Sequence, residues 1–169
     1  MIEIITDTSP LETVLNLLTE KELTAINRRA AKRAASHAKV IGSKGVRSKY
    51  TIKSARIKRA IKLTTTGGGA EILISSSRLP VEEYKARQRK KGVFVSIRKG
   101  SGGIAARSFS WSNTFWQRDE GVPRYPIRRI VGPAVPQLFE YSDEVLQKMS
   151  QEAMDKYEER FIHELGRIL

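Results

Sequence analysis

Hydrophobic residues recur at two different spacings along the chain, and the change in spacing divides it into helical and strand-forming parts. Towards both ends they recur every three or four residues, which places them on one face of an α-helix. Between about residues 70 and 118 they alternate with polar residues, as in strands with one buried face. The pattern predicts an α+β fold with N-terminal basic helices, a small, mainly antiparallel sheet of about four strands, and a long C-terminal helix.

The N-terminal helix has two candidate start signals. Ser9-Pro10-Leu11-Glu12 offers a serine N-cap, a proline at the first helical position and a glutamate that reaches back to the cap. A second capping box, Thr19-x-x-Glu22, either restarts the helix or lies inside a continuous one. Gly42 and Gly45 are predicted to end this helix. A shorter amphipathic helix is predicted over residues 51–61.

The middle of the chain supplies the strands of the predicted sheet. Gly67-Gly68-Gly69 leads into it and lacks the lysine and hydroxyl residue of a phosphate loop. Strands are predicted at residues 70–75, 92–98, in the second half of 104–111 and at 114–118, with turns at 99–103 and at Asn113 and an exposed loop at 119–123.

Three aromatic residues near the end of the predicted sheet have two interpretations. Trp111, Phe115 and Trp116 lie among Arg107 and Arg118, an arrangement that can stack the bases of a single strand. Such aromatics more often close the core of a small sheet. The sequence leaves both interpretations open.

A proline-rich segment, residues 123–139, separates the sheet from the C-terminal helix. Pro126, Pro133 and Pro136 exclude a long helix and a central strand, because each proline fixes its own φ and lacks an amide donor. Its apolar residues are too many for a solvated linker. We therefore expect a rigid crossing that lies against the core and fixes how the last helix docks.

The C-terminal helix is predicted over residues 142–168, with Ser142 as its cap. Its apolar residues recur every four positions, so the stripe winds around a helix of 3.6 residues per turn. Such a stripe is buried within the chain or meets a second subunit. The predicted residues for docking between subunits are Ile127, Val131, Val135, Phe139, Met149, Tyr157, Phe161 and Leu165.

Composition narrows the classes of function. The 169 residues suffice for a single domain, and the absence of cysteine excludes disulfides, thiol catalysis and cysteine-based metal sites. His37 and His163 are too few for a histidine-rich metal site. No catalytic constellation, cofactor motif, membrane span or secretory leader is present in the sequence. We therefore expect a non-enzymatic protein without cofactor or metal that does not contact a membrane.

The net charge of +13 is distributed unevenly. Residues 23–70 hold thirteen lysines and arginines and no carboxylate, whereas residues 1–22 and 140–169 are acidic. A surface without interspersed acids indicates an anionic partner: nucleic acid, or the acidic face of another subunit. The predicted residues for contact with DNA or an acidic partner are Arg28, Arg29, Lys32, Arg33, Lys39, Arg56, Lys58, Arg59, Arg87, Arg89, Lys90 and Lys91.

Several segments carry a resemblance to a known family. They follow a basic, alanine-rich helix and a second basic helix, and together the likeness covers roughly residues 20–169. The segments are Tyr84-Lys85-Ala86-Arg87-Gln88-Arg89-Lys90-Lys91-Gly92-Val93-Phe94-Val95, Phe115-Trp116-Gln117-Arg118, Arg124-Tyr125-Pro126-Ile127, Gly132-Pro133-Ala134-Val135-Pro136 and His163-Glu164-Leu165. With this order of motifs the chain resembles the tailed-phage minor tail protein Z family.

The resemblance implies a single tail-completion domain, residues 1–169, divided into a basic helical part (9–62), a sheet (70–118), the proline-rich crossing (123–139) and the C-terminal helix (142–168). Such a structural virion protein, from a phage or prophage, completes the head-proximal end of the tail for head–tail joining and DNA passage. The implied partners are other tail or head–tail connector proteins in a homo-oligomeric ring, assembled in the host cytoplasm. The competing hypothesis from the charge is a stand-alone, non-specific nucleic-acid-binding protein.

Overall fold

Helices lie at both ends of the described chain and strands lie between them, as the two hydrophobic spacings predict. The computed structural model describes residues 19–66, 69–121 and 123–167. The mixed α+β class is therefore confirmed. The elements are α1 (Glu20–Lys49), α2 (Ser54–Ala60), β1 (Ile61–Thr66), β2 (Gly69–Ile74), a 3₁₀ turn (Val81–Glu83), β3 (Lys85–Arg89), β4 (Gly92–Ser96), β5 (Gly103–Ala105), β6 (Ser108–Trp111), β7 (Thr114–Arg118), β8 (Ile127–Arg129), α3 (Val135–Glu140) and α4 (Asp143–Leu165).

Helix α1 begins at the second of the two predicted start signals. The Thr19 amide donates to Glu22 Oε2 at 2.9 Å, and the Glu22 amide donates to Thr19 Oγ1 at 3.4 Å. These reciprocal bonds form the capping box, and the hydrogen bonds from Thr19 lower the pKa of Glu22. The predicted start at Ser9 lies outside the described residues.

The prediction that Gly42 and Gly45 end the first helix is wrong, because α1 continues through both to Lys49. The glycines permit close packing against α4. A Cβ atom at Gly45 would lie 2.6 Å from Val145 Cγ1, and one at Gly42 would lie 2.5 Å from Met149 Sδ. Buried alanines continue this narrow surface towards the N-terminus of α1. The small residues therefore serve close packing.

Replacing Gly45 by alanine tests this packing. Alanine has the higher helix propensity by about 1 kcal/mol, which alone would stabilise α1. The contact with Val145 makes the net effect of the alanine destabilising, since overpacking costs about 1–3 kcal/mol. We expect Gly45→Ala to lower the free energy of unfolding by about 1 kcal/mol in urea denaturation. In a Val145→Ala background the same change should stabilise the protein, and destabilisation there would contradict the steric explanation.

The second helix is shorter than predicted and leads directly into a strand that the sequence did not predict. Helix α2 ends at Ala60, and β1 begins at Ile61. Strand β1 pairs with β2 in antiparallel register, Ile61 opposite Ile74. The strand was missed because its second half is a run of exposed threonines, in which no hydrophobic alternation is visible.

The prediction of a single sheet of about four strands is also wrong, because the eight described strands form three separate antiparallel sheets. Their orders are β1–β2, β3–β4–β5 and β6–β7–β8. Strand β3 was not predicted, since it is an edge strand whose side chains are mostly exposed and polar. Residues 104–111 divide into β5 and β6 at a turn where Arg107 has φ 54°. The predicted strands at 70–75, 92–98 and 114–118 are confirmed.

The proline-rich crossing lies against the core as predicted. Its strand β8 is short and lies at a sheet edge, and α3 takes Pro136 into its first turn, where a missing amide donor costs little. Val135, Leu138 and Phe139 are buried in the main core cluster. The Tyr84 hydroxyl donates to the Pro133 carbonyl at 2.7 Å, and burial raises the pKa of Tyr84 to about 12.

Helix α4 begins at Asp143 and ends at Leu165, three residues before the predicted end. Ser142 is its N-cap residue, but the side chain makes no capping hydrogen bond. The Ser142 hydroxyl is buried and lies 3.5 Å from the Tyr50 hydroxyl. Position 168 lies outside the described residues. Helix α4 packs along α1, so the two long helices form one layer of the fold.

Candidate anion-binding surfaces

The exposed side of α1 carries a row of cations. Because alanines occupy the buried side, basic residues three to four positions apart share the opposite side. No acidic residue follows Glu22 in this helix. Within residues 19–66, 69–121 and 123–167, the exposed cations of α1 beyond Glu22 that make no ion pair are Arg28, Lys32, Arg33, Lys44 and Arg47.

Lys44 and Arg47 belong to this row but were absent from the predicted contact residues. Both are exposed on α1, further along the helix than the predicted positions. They were missed because the helix was expected to end at Gly42 and Gly45. The helical spacing of basic residues beyond the glycines is the signal that could have found them. We call the five exposed cations Arg28, Lys32, Arg33, Lys44 and Arg47 the α1 basic row.

Acidic residues of α4 pair with other cations of α1. Glu164 pairs with Arg29 at 3.1 Å, and Glu144 pairs with Lys49 at 2.7 Å. The hydrogen bond from Lys49 holds the pKa of Glu144 below its usual value. Glu152 lies 3.2 Å from a ring nitrogen of His37. The acidic helix thus neutralises the side of α1 that it packs on and leaves the α1 basic row exposed.

Two predicted contact residues instead hold the fold together. Lys39 is half-buried and donates its Nζ to the Ile61 carbonyl at 2.6 Å. Arg56 donates to Glu83 at 2.7 Å, which joins α2 to the 3₁₀ turn. The hydrogen bond from Arg56 is the main cause of the lowered pKa of Glu83, and the same bond raises the pKa of Arg56. The neighbouring Lys58 and Arg59 are exposed.

The remaining predicted contact residues lie on the β3–β4 hairpin. The Arg87 and Arg89 guanidinium groups lie 5.7 and 5.0 Å from the centre of the Phe94 ring, within the range of cation–π attraction. Lys90 and Lys91 form the exposed turn of the hairpin. The structure therefore distributes the predicted cations over α1, α2 and this hairpin.

The structure removes several residues from the predicted docking surface between subunits. Val135 and Phe139 are buried in the core, and Leu165 is also buried. They are unavailable to a second subunit in this conformation, because the crossing and α4 use them for packing within the chain. Ile127, Met149 and Phe161 are half-buried, whereas Val131 is exposed.

Tyr157 shows how the winding stripe of α4 is used. Its hydroxyl donates to Asn27 Oδ1 at 2.9 Å, and its ring stacks on Phe161 with centres 5.7 Å apart. This part of the stripe therefore faces α1. Met154 and Ile162, at other positions of the same helix, are the exposed apolar residues of α4 in the described chain.

The aromatic residues of the third sheet are divided between its two faces. The register pairs Phe109 with Trp116 and Ser110 with Phe115, so Phe115 points away from the other rings. Trp111 and Trp116 have ring centres 6.1 Å apart. Trp111 is 62% exposed, so the interpretation that these aromatics close a core is wrong for it. The Arg118 guanidinium lies 4.8 Å from the centre of the Phe109 ring.

No metal-binding group of three or more histidine, cysteine or acidic residues is found among the described residues. In the same ranges, no helix is both long and apolar enough to cross a membrane. Comparisons of the chain with protein-family models, with curated proteins and with solved structures find no match.

Proposed function

We propose that the protein is a structural subunit of a phage tail, which completes the head-proximal end of the tail and works as a ring around the path of the DNA. The observation that carries the proposal is the α1 basic row, which stays exposed although the acidic helix α4 lies beside it. The order of motifs along the chain, which resembles the minor tail protein Z family, supplies the biological setting. The protein acts without a catalytic step.

A row of fixed cations suits contact with a polyanion whose sequence does not matter. Lysine and arginine neutralise phosphates and release counterions, and this attraction is independent of the bases. Glu144 and Glu164 pair with Lys49 and Arg29, and the α1 basic row stays unpaired. The row is therefore available to an anionic partner, which is DNA or the acidic face of another subunit.

The chain also exposes acidic residues on a different helix from the α1 basic row. Helix α4 exposes Asp155 and Glu158 on its outer side, whereas α1 exposes its basic row. Opposite charges on different surfaces favour head-to-tail contacts, and such contacts generate a closed ring when the rotation between subunits closes. This supports the oligomeric arrangement that the resemblance implies.

Charge reversal in the α1 basic row tests the proposal. We expect Arg28→Glu, Lys32→Glu and Arg33→Glu together to reduce head–tail joining by about tenfold or more, because like charges facing each other repel. The measurement supplies the variant in trans to a phage that lacks this gene and counts joined particles and infectious units. A matched control makes the same charge change at Arg78, Lys99 and Arg167, which are exposed and outside the row. Unchanged joining by the first variant would contradict the proposal.

The second candidate function is a stand-alone, non-specific nucleic-acid-binding protein. The exposed, unpaired cations of the α1 basic row favour it as well. Binding of the isolated chain to duplex DNA at near-physiological salt would support this candidate. The slope of the logarithm of the binding constant against the logarithm of the salt concentration should then decrease in magnitude by about 2.7 when a variant loses three phosphate contacts. Ring formation without such binding would support the tail subunit instead.

A further inference from the structure

One face of the sheet β6–β7–β8 presents aromatic rings and arginines to solvent. Successive side chains of a strand point to opposite faces, so Phe109 and Trp111 of β6 share a face with Trp116 and Arg118 of β7. Ile127 of β8 is paired with Arg118 and extends the same face. The sequence separated these residues by loops, and the register of the strands brings them together.

A cavity of about 250 Å³ opens on this face. Trp111 is 62% exposed and Tyr125 is 72% exposed, so two large rings at its rim are presented to solvent. Exposed aromatic rings grouped around a hollow mark a binding surface more often than a chance arrangement. The cavity is lined by Phe109, Trp111, Arg118, Arg124, Tyr125 and Ile127.

The charge of the cavity is positive. Arg118 and Arg124 contribute to its lining, and no carboxylate does. The adjacent acid, Asp119, is paired with Arg128. Arg128 is opposite Gln117 in the strand register, so it lies on the other face of the sheet. The contact of Arg118 with the Phe109 ring fixes one guanidinium group at the cavity before any ligand binds.

Flat rings beside fixed cations suit a ligand that is itself flat and anionic. A base can stack on Trp111 or Tyr125 while a phosphate of the same strand accepts hydrogen bonds from Arg118 or Arg124. The volume lies below the roughly 300–1,000 Å³ of pockets that enclose drug-sized ligands, so it holds one ring at a time. In a duplex the base faces are already stacked, and an acidic peptide offers no base to these rings.

We propose that this face of the β6–β7–β8 sheet binds single-stranded nucleic acid by stacking a base on Trp111 and Tyr125, with phosphate contacts from Arg118 and Arg124. The binding tolerates any base, because stacking on Trp111 and Tyr125 uses the flat face that every base has. This site is separate from the α1 basic row and goes beyond the proposed function, since duplex DNA in a tail offers no free base.

Fluorescence titration of the full chain with an oligothymidylate of about 12 nucleotides tests the proposal. We expect the strand to quench tryptophan emission and to bind more tightly than a duplex of equal length. Trp111→Ala should weaken single-strand binding by about 5- to 150-fold, because alanine removes one stacking partner. Trp111→Phe keeps a ring and should retain most of the affinity. Binding is measured also by anisotropy of a labelled strand, which does not depend on the tryptophan.

Several outcomes would overturn this proposal. Equal affinity of the chain for single-stranded and duplex DNA would mean that electrostatic attraction alone accounts for binding. Equal loss of both affinities in Trp111→Ala would mean the same. Equal affinity for a polyglutamate peptide, lost in the same variant, would identify an acidic-peptide surface. Self-association that Trp111→Ala abolishes, without single-strand binding, would identify a contact between copies. The variant with Arg28, Lys32 and Arg33 reversed should keep the preference for single strands, which separates failure here from failure of the proposed function.

Discussion

Replacement of Phe139 by alanine is expected to lower the free energy of unfolding by about 3–5 kcal/mol, among the largest effects of a single substitution in this chain. Phe139 is 2% exposed and belongs to the core in which α2, α3 and the start of α4 meet. Its ring also lies over Gly42, where a Cβ atom would come within 3.2 Å of Cε1. Truncation would leave a cavity between the crossing and both long helices.

The neighbouring Tyr141 provides a matched control. It lies two residues beyond Phe139, just after the crossing ends, and is 72% exposed. Tyr141→Ala should therefore change the free energy of unfolding by less than about 0.5 kcal/mol. Urea denaturation followed by circular dichroism measures both variants. Equal losses for the two would mean that the crossing is not anchored by the buried ring.

Gly92→Ala is expected to destabilise the protein by about 2–5 kcal/mol, for two additive reasons. Gly92 has φ 133°, a conformation that residues with a Cβ atom rarely adopt. A Cβ atom there would also lie 2.8 Å from the Ala105 carbonyl oxygen and 3.0 Å from Ser108 Oγ. The hydroxyl of Ser108 accepts from the Val93 amide at 2.7 Å, so the clash disturbs the contact between the second and third sheets.

Gly103→Ala is the control for this substitution. Gly103 lies in β5 beside the same strand β4, has no positive φ, and nothing lies within 4 Å of its would-be Cβ atom. Its replacement should be neutral or slightly stabilising, because alanine restricts the unfolded chain more than glycine does. Thermal and urea unfolding of both variants measure the difference. A Gly92→Ala protein as stable as Gly103→Ala would show that β4 adjusts without cost.

The sequence predicted those elements whose signal is local. The capping box at Thr19 marks the start of α1 through bonds between residues three apart. The prolines of the crossing excluded a long helix there, and Ser142 marked the beginning of α4. Edge strands such as β3 were missed, because a strand with both faces largely exposed needs no hydrophobic alternation. Its pairing with β4 depends on residues that follow it in the chain.

The candidate surfaces also combine features that the sequence predicted with features that depend on residues distant in the chain. The tract without carboxylates indicated an anionic partner from the sequence alone. Which of its cations stay exposed depended on α4, whose glutamates pair with Arg29 and Lys49 more than ninety residues away in the chain. Lys39 likewise became unavailable to a partner because it donates to the Ile61 carbonyl. Partners so distant in sequence leave no local pattern that predicts them.

By itself, the sequence determined the α+β class, the start of α4, the proline-rich crossing and the strong positive charge, because each follows from neighbouring residues or from composition. Only the tertiary structure decided that α1 passes through Gly42 and Gly45, since the cause is a close contact with α4. It also decided the division into three sheets and the grouping of Trp111, Tyr125 and Arg118 around one cavity. Strand register and helix packing join distant segments, and that information lies in no single stretch of the chain.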